Sequence, residues 1–126
     1  MFVGVEKLGR WEIEYYKTAT GRVPVAEFVD DLPPQAKAKY IRALGLLEEY
    51  GLLLREPWVK SIHGIPKLRE LRFTAFGDIY RFFFFPVTGR KLILVHGFKK
   101  KGQETPRREL QTAEARMKDY IQRQGG

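Results

Sequence analysis

Four segments of the chain have a hydrophobic pattern that predicts β-strands. In the first, apolar side chains alternate with glutamates, and this period of two is typical of a strand. The other three are short, largely apolar segments bounded by turn residues. The last three segments are separated only by short turns, around Gly77 and from Pro86 to Arg90. Connections this short predict an antiparallel meander. The predicted strands are residues 11–16, 68–73, 79–85 and 91–98.

Apolar residues recur at helical spacing in three other segments. Pro24 and Pro106 suit the first turns of the first and last of these helices, and Thr105 can cap the last one. Gly51 is a natural stop for the second helix. The predicted helices are residues 24–32, 35–50 and 106–123.

These elements give the order β-α-α-β-β-β-α. We therefore expect an α+β fold in which an antiparallel sheet has its helices packed on one face. A length of 126 residues suits one hydrophobic core, so residues 1–126 are expected to form a single compact domain.

Composition excludes several classes of protein. No apolar run approaches the roughly 18 residues that a membrane helix needs, and the first ten residues lack the layout of a signal peptide. The chain has no cysteine, which excludes disulfides and thiolate nucleophiles, and only two histidines, which argues against a zinc site. We expect a cytoplasmic protein with no membrane partner, no metal and no cofactor.

The net charge of +8 is concentrated in the second half of the chain. Residues 1–54 hold 7 Lys/Arg and 8 Asp/Glu, whereas residues 55–126 hold 16 and 7. Basic surfaces bind nucleic acids, acidic proteins and anionic membranes alike, so composition alone does not name the ligand. Several of these cations lie on predicted strands, where a rigid sheet would fix their positions. Such an array favours a polyanion, and RNA is the leading candidate.

Two arginines on neighbouring predicted strands are the first catalytic candidates. A sheet covered on one side can bury its apolar rows and present Arg72 and Arg81 together on the exposed side. Whether the two side chains meet depends on strand register, which the sequence does not fix. The planar guanidinium group suits a phosphate because it donates two hydrogen bonds and stays charged. The structural alternative is that either arginine pairs with Glu70, Glu109 or a backbone carbonyl.

Three consecutive lysines, Lys99, Lys100 and Lys101, follow the last predicted strand and begin a polar loop. At least one of them is expected to be an ordinary solvated residue, and one or two to point toward the open face of the sheet. A lysine close to other cations holds its proton less tightly and can act as a general base or acid. On RNA, a base would remove the 2′-hydroxyl proton, arginines would stabilise the charge on phosphorus, and an acid would protonate the leaving 5′-oxygen. Lys99 and Lys100 join the two arginines as catalytic candidates.

Four residues are candidates for contacting the RNA: Lys60, Lys67, Lys101 and His96. Histidine exchanges protons near neutral pH, which makes His96 attractive by residue type. A single histidine inside an apolar strand is, however, more often a packed residue than a catalytic one. For the three lysines, the positive charge of the side chain is the reason to expect contact with RNA.

Short motifs occur in a particular order along the chain: Phe28-Val29-Asp30-Asp31-Leu32-Pro33, Lys60, Gly64, Glu70-Leu71-Arg72-Phe73, Tyr80-Arg81-Phe82-Phe83, Leu94-Val95-His96-Gly97-Phe98-Lys99-Lys100, Thr105-Pro106, Glu109, Ala113 and Arg116. In this order, the chain resembles the RelE/ParE toxin superfamily. It is most similar to the HigB-like branch, the phage-related, host-growth-inhibiting toxins of bacterial type II toxin–antitoxin systems. The resemblance covers roughly residues 25–120.

This resemblance implies a β-α-α-β-β-β-α fold and cleavage of mRNA in the ribosomal A site. It also implies a small antitoxin, typically a helix-turn-helix DNA-binding protein that joins the toxin in repressing their operon. By motif position, Arg72 and the Lys99-Lys100 pair are the best carry-overs of the family's functional residues, followed by Arg81 and Lys60. Many relatives place a catalytic tyrosine or histidine near the C-terminus, whereas Tyr120 is expected to pack inward here.

The leading hypothesis is a ribosome-dependent mRNA endonuclease. One alternative is a ParE-like toxin that inhibits DNA gyrase without cutting RNA. The other is a basic domain that binds RNA or an acidic protein without catalysis, in which case binding would weaken steeply with salt.

Overall fold

The computed structural model describes residues 10–100 and 105–124. These residues form five strands, three helices and a short 3₁₀ turn. The helices are Pro24–Asp30 (α1), Pro34–Tyr50 (α2) and Arg107–Arg123 (α3), and the 3₁₀ turn is Gly51–Leu53. The strands are Glu12–Tyr15 (β1), Val59–Ser61 (β2), Arg69–Ala75 (β3), Asp78–Val87 (β4) and Lys91–Lys100 (β5).

The five strands form one sheet in the order β1-β5-β4-β3-β2. The meander from β2 to β5 is antiparallel throughout, whereas β1 pairs with β5 in parallel. The predicted α+β class and order of elements are confirmed. Strand β2 is an addition, since three residues are too few to show a period of two and this segment lies next to the predicted loop.

Helix α2 follows from its apolar spacing. Ala36, Tyr40, Ala43 and Leu47 are all buried on one side of it. The helix ends at Gly51, whose φ is +54° and whose position leaves no room for a side chain, because an added Cβ would lie 2.1 Å from the ring of Trp11.

The sheet is covered on both faces. Tyr80, Phe82 and Phe84 of β4 pack with residues of α1 and α2, whereas Phe83 and Phe85 pack with residues of α3 on the other side. This corrects the expectation that all helices pack on one face. A strand that is apolar in both alternating rows needs cover on both sides, and the run of four phenylalanines in β4 is such a strand. We call the side that carries Phe83 and Phe85 the α3 face.

A β-bulge in β5 decides which side chains reach the α3 face. Phe83 pairs with His96 and Phe84 with Leu94, which leaves Val95 as an extra residue on β5. Val95 and His96 therefore both lie on the α3 face.

The alternation beyond the bulge is shifted by one residue. Gly97 then faces α1, where an added Cβ would lie 2.8 Å from the ring of Phe82 and 3.0 Å from that of Phe28. Lys99 pairs with Tyr80 on this side of the sheet. Lys100, the next residue, points to the α3 face.

Candidate functional site

Arg72 and Arg81 are direct cross-strand partners on the α3 face. Two like charges in such a pair repel each other unless a counter-ion lies between them. Glu70 supplies it, because its Oε2 lies 3.3 Å from Nη1 of Arg81 and 3.9 Å from Nε of Arg72. The structural alternative raised from the sequence, pairing with Glu70, is therefore present for both arginines.

Arg81 is buried rather than presented on an exposed surface, which corrects the sequence-based expectation. Only 2% of Arg81 and 2% of Glu70 is exposed. Nη1 of Arg81 also donates a hydrogen bond to Oγ1 of Thr105, at 2.6 Å. Both groups have left water, so the ion pair and this hydrogen bond must together offset the cost of desolvation. Arg72 is the more accessible arginine, with 19% of its side chain exposed.

Burial sets the ionisation of Glu70. Desolvation raises the pKa of its carboxyl group above the usual value, and the nearby cations of Arg81, Arg72 and Lys60 oppose this shift. Lys60 belongs to the same cluster because it pairs with Glu70 across β2 and β3. Its side chain is exposed, unlike that of Arg81.

The lysine candidates do not share one surface. Lys100 pairs with Ile79 on the α3 face, next to the pair formed by Arg81 and Phe98. Lys99 lies on the opposite side, with its Nζ 3.9 Å from Oδ2 of Asp78. Lys101 lies outside the described residues, so its predicted role has no structural counterpart here. Lys99 and Lys100 continue β5 rather than beginning the loop predicted from the sequence.

Lys67 lies in the turn before β3. It is exposed and has a φ of +77°. No described ion pair or hydrogen bond joins Lys67 to the cations on the α3 face. Its positive charge is therefore the only reason to expect it to contact RNA. We call Lys60, Arg72, Arg81 and Lys100 together the basic cluster.

His96 connects β5 to α3. Its Nε2 lies 2.6 Å from Oε1 of Glu109, and its Nδ1 accepts a hydrogen bond from Nη1 of Arg116 at 3.1 Å. Arginine only donates, so Nδ1 carries no proton and Nε2 donates to the carboxylate in the neutral ring. The same Nη1 donates to the carbonyl oxygen of Val95, at 2.9 Å. Both ring nitrogens are thus engaged within the protein.

The surroundings of His96 favour its neutral form. Burial lowers the pKa of His96 and the charge of Arg116 lowers it further, while Glu109 acts in the opposite direction. The ring also stacks with Phe83 and Phe98, at centroid distances of 6.3 and 5.7 Å. His96 is therefore a packed residue that fixes α3 on the sheet.

The sequence indicated Glu70 as a possible partner of the arginines, but it gave no sign of the hydrogen bond from Arg116 to His96. The position of Glu70, two residues before Arg72 on the same strand, already placed it on the same face. Arg116 had no comparable indication, since its contact depends on how α3 crosses β5. Tyr120 packs inward as expected, with 9% of its surface exposed.

Within the described residues, no group of three or more His, Cys, Asp or Glu side chains is placed to hold a metal ion. No helix in this part of the chain is long and apolar enough to cross a membrane.

A family model described as "Phage derived protein Gp49-like" matches residues 27–118, from α1 to most of α3. This match spans well over half of the chain. The chain belongs to the Gp49-like family. This family is associated with toxins of toxin–antitoxin systems. The matched region of this Gp49-like protein includes the whole basic cluster and the contacts of His96 with α3. No curated protein matches the chain.

Proposed function

We propose that this Gp49-like protein is the toxin of a type II toxin–antitoxin system and cleaves mRNA on the ribosome. In this proposal it belongs to the HigB-like branch of the RelE/ParE superfamily and acts in the cytoplasm. The observation that carries the proposal is the basic cluster, in which Lys60, Arg72, Arg81 and Lys100 share one face of a rigid sheet. Four cations with one carboxylate among them suit a phosphodiester.

Arg72 is the residue that we assign to the scissile phosphate. It is partly exposed, and its Nε lies 3.9 Å from Glu70, a contact loose enough for a phosphate oxygen to compete. Arg81 is buried and pairs more closely with Glu70, at 3.3 Å. We therefore assign Arg81 a positioning role, in which its ion pair with Glu70 fixes the neighbouring Arg72.

Lys100 is our candidate for proton transfer, since its place beyond the bulge puts it on the α3 face with the arginines. In the proposed reaction a base takes the proton of a ribose 2′-hydroxyl, and the 2′-oxygen attacks the adjacent phosphorus. The bond to the 5′-oxygen breaks and that oxygen receives a proton. The products are a 2′,3′-cyclic phosphate and a free 5′-hydroxyl, with Arg72 stabilising the charge that develops on phosphorus.

The partner in this proposal is a small antitoxin, of the helix-turn-helix DNA-binding kind. Since the basic cluster and the chain's net charge of +8 attract polyanions, an acidic antitoxin segment could compete with RNA for the same cations.

The test compares wild type, Arg72→Ala and the control Lys118→Ala, whose cation is 71% exposed on α3. Wild type and the control should arrest growth and cut ribosome-bound mRNA, and Arg72→Ala should lose both activities. Inhibition of gyrase supercoiling with intact mRNA would favour the ParE-like alternative. Salt-sensitive RNA binding without cleavage by wild type would favour the non-catalytic alternative.

A further inference from the structure

A cleft of about 500 Å³ opens beside the basic cluster, at the edge of the sheet. Strand β2 pairs with the first three residues of β3, and the backbone N–H of Arg72 donates a hydrogen bond to the carbonyl of Trp58. Beyond Arg72, this edge of β3 has no strand neighbour among the described residues. The cleft forms there, between α2 and the segment that leads into β2. Its apolar lining includes Trp58, Phe73 and Ile79. Aromatic and aliphatic walls of this size accommodate a flat organic ring.

The polar groups of the cleft are mostly cationic. Lys39, Arg42 and Arg72 line it, against a single carboxylate, that of Glu56. Nζ of Lys39 donates a hydrogen bond to the backbone carbonyl of Thr74 at 2.7 Å, which holds this ammonium group at the edge of β3. The cleft therefore combines an apolar lining with an excess of positive charge, as a nucleotide requires.

Arg72 belongs both to this cleft and to the basic cluster. A phosphate held by Arg72 would therefore have one of its flanking nucleotides beside Trp58.

The positive charge continues along the same edge. A second cleft, also of about 500 Å³, shares Glu56 with the first and is lined by Arg55, Lys60 and Arg69. Two adjoining clefts with six cations and one carboxylate suit a chain of phosphates better than a single anion.

We propose that the cleft at Trp58 is a nucleobase subsite, in which the base of a nucleotide next to the scissile phosphate stacks on the indole ring. This inference rests on the proposed function and adds to it a positioning site for RNA. Arg42 and Lys39 attract the neighbouring phosphates. Stacking on an aromatic ring is tolerant of sequence, because every base has a π-face.

An extended peptide that adds a strand to β3 is the competing occupant. The hydrogen bond from Lys39 argues against it, because the ammonium group already lies on the carbonyl of Thr74, at the edge where a new strand would pair. The three cations of the cleft favour phosphates over a neutral backbone.

The experiment separates binding from cleavage by using a short 2′-O-methyl RNA oligonucleotide, which lacks the attacking hydroxyl. The chain has two tryptophans, Trp11 and Trp58. Trp11 lies elsewhere, under the guanidinium of Arg90 at 4.7 Å. In Trp11→Phe, Trp58 is thus the only indole, and in Trp58→Phe the reporter is removed while an aromatic ring remains. Binding is measured independently by the anisotropy of labelled oligonucleotide.

The oligonucleotide is expected to quench the fluorescence of Trp11→Phe and not that of Trp58→Phe. Trp58→Ala should weaken binding by about 10-fold or more, which corresponds to the loss of one stacked base. Arg42→Ala, which changes an exposed side chain, should weaken it while preserving the fold, and Lys118→Ala should bind as wild type does.

Binding by anisotropy without any change in Trp58 fluorescence would overturn the subsite, as would an absence of binding at low salt. Quenching by an antitoxin peptide but not by RNA would assign the cleft to the competing occupant. The proposed function is judged separately, by cleavage of ribosome-bound mRNA. Cleavage that persists unchanged in Trp58→Ala and Arg42→Ala would refute the subsite and leave the nuclease assignment standing.

Discussion

Replacing Glu70 with glutamine should destabilise the fold, because Glu70 is the carboxylate between two cations and only 2% of it is exposed. At an effective dielectric constant of about 20, charges separated by 3.3 Å interact with roughly 5 kcal/mol. Desolvation of Glu70, which raises the pKa of its carboxyl group, offsets this attraction, so the cost of the variant comes from leaving the charge of Arg81 buried without a counter-ion. Removing one partner of a buried pair in this way costs about 3–5 kcal/mol. We therefore expect Glu70→Gln to lower the free energy of unfolding by about 3–5 kcal/mol. For 126 residues this corresponds to a Tm lower by about 10–20 °C.

Chemical and thermal denaturation of wild type, Glu70→Gln, Arg81→Met and the double variant measure this coupling. The double variant should recover most of the stability lost in either single variant, because a buried charge is no longer left without its counter-ion. Glu27→Gln is the control. Oε1 of Glu27 lies 2.6 Å from Nη2 of Arg22, which is closer than the charged atoms of the buried pair. Both of these side chains are more than half exposed, so Glu27→Gln should leave Tm unchanged. Equal Tm values for Glu70→Gln and wild type would refute the role of this ion pair.

Two further predictions concern β5. His96 has a lowered pKa, so between that value and the usual 6.5 the unfolded chain binds more protons than the folded one. The free energy of unfolding should therefore fall as the pH drops below about 6.5. Denaturation curves measured above and below this pH should show a weaker pH dependence for His96→Gln than for wild type. The same pH dependence in both proteins would contradict a packed, neutral His96. Gly97→Ala should lower the free energy of unfolding by about 1–3 kcal/mol, because the added Cβ would lie 2.8 Å from the ring of Phe82. Gly45→Ala is the control and should not destabilise the protein, because its added Cβ would have no other atom within 4 Å. Equal denaturation midpoints for the two alanine variants would contradict this reasoning, because they would show that the ring of Phe82 can move to accept the added Cβ without loss of stability.

Much of the fold could be predicted from local patterns. Alternation identified β1, short apolar segments between turns identified β3, β4 and β5, and apolar spacing with Pro24 and Gly51 identified the helices. The covering of both faces could also have been predicted, since the phenylalanine run of β4 leaves neither face polar. Strand β2 was not predictable, because its three residues acquire their conformation from pairing with β3.

The arrangement of the site depended on features that a sequence does not display. Register decides that Arg72 meets Arg81, and burial decides that Arg81 faces Glu70 rather than solvent. The bulge at Val95 decides that Lys100, and not Lys99, lies on the α3 face. Strict alternation from the start of β5 would have reversed these two lysines. A one-residue irregularity thus separates residues that looked equivalent in the sequence.

The most direct test of the account compares Lys99→Ala and Lys100→Ala in single-turnover cleavage of mRNA bound to ribosomes. Removal of a group that transfers protons typically lowers the rate by about 10²- to 10⁴-fold. We predict a loss of this size for Lys100→Ala and a rate close to that of wild type for Lys99→Ala. The opposite order, or equal rates for the two variants, would contradict the assignment of the reaction to the α3 face.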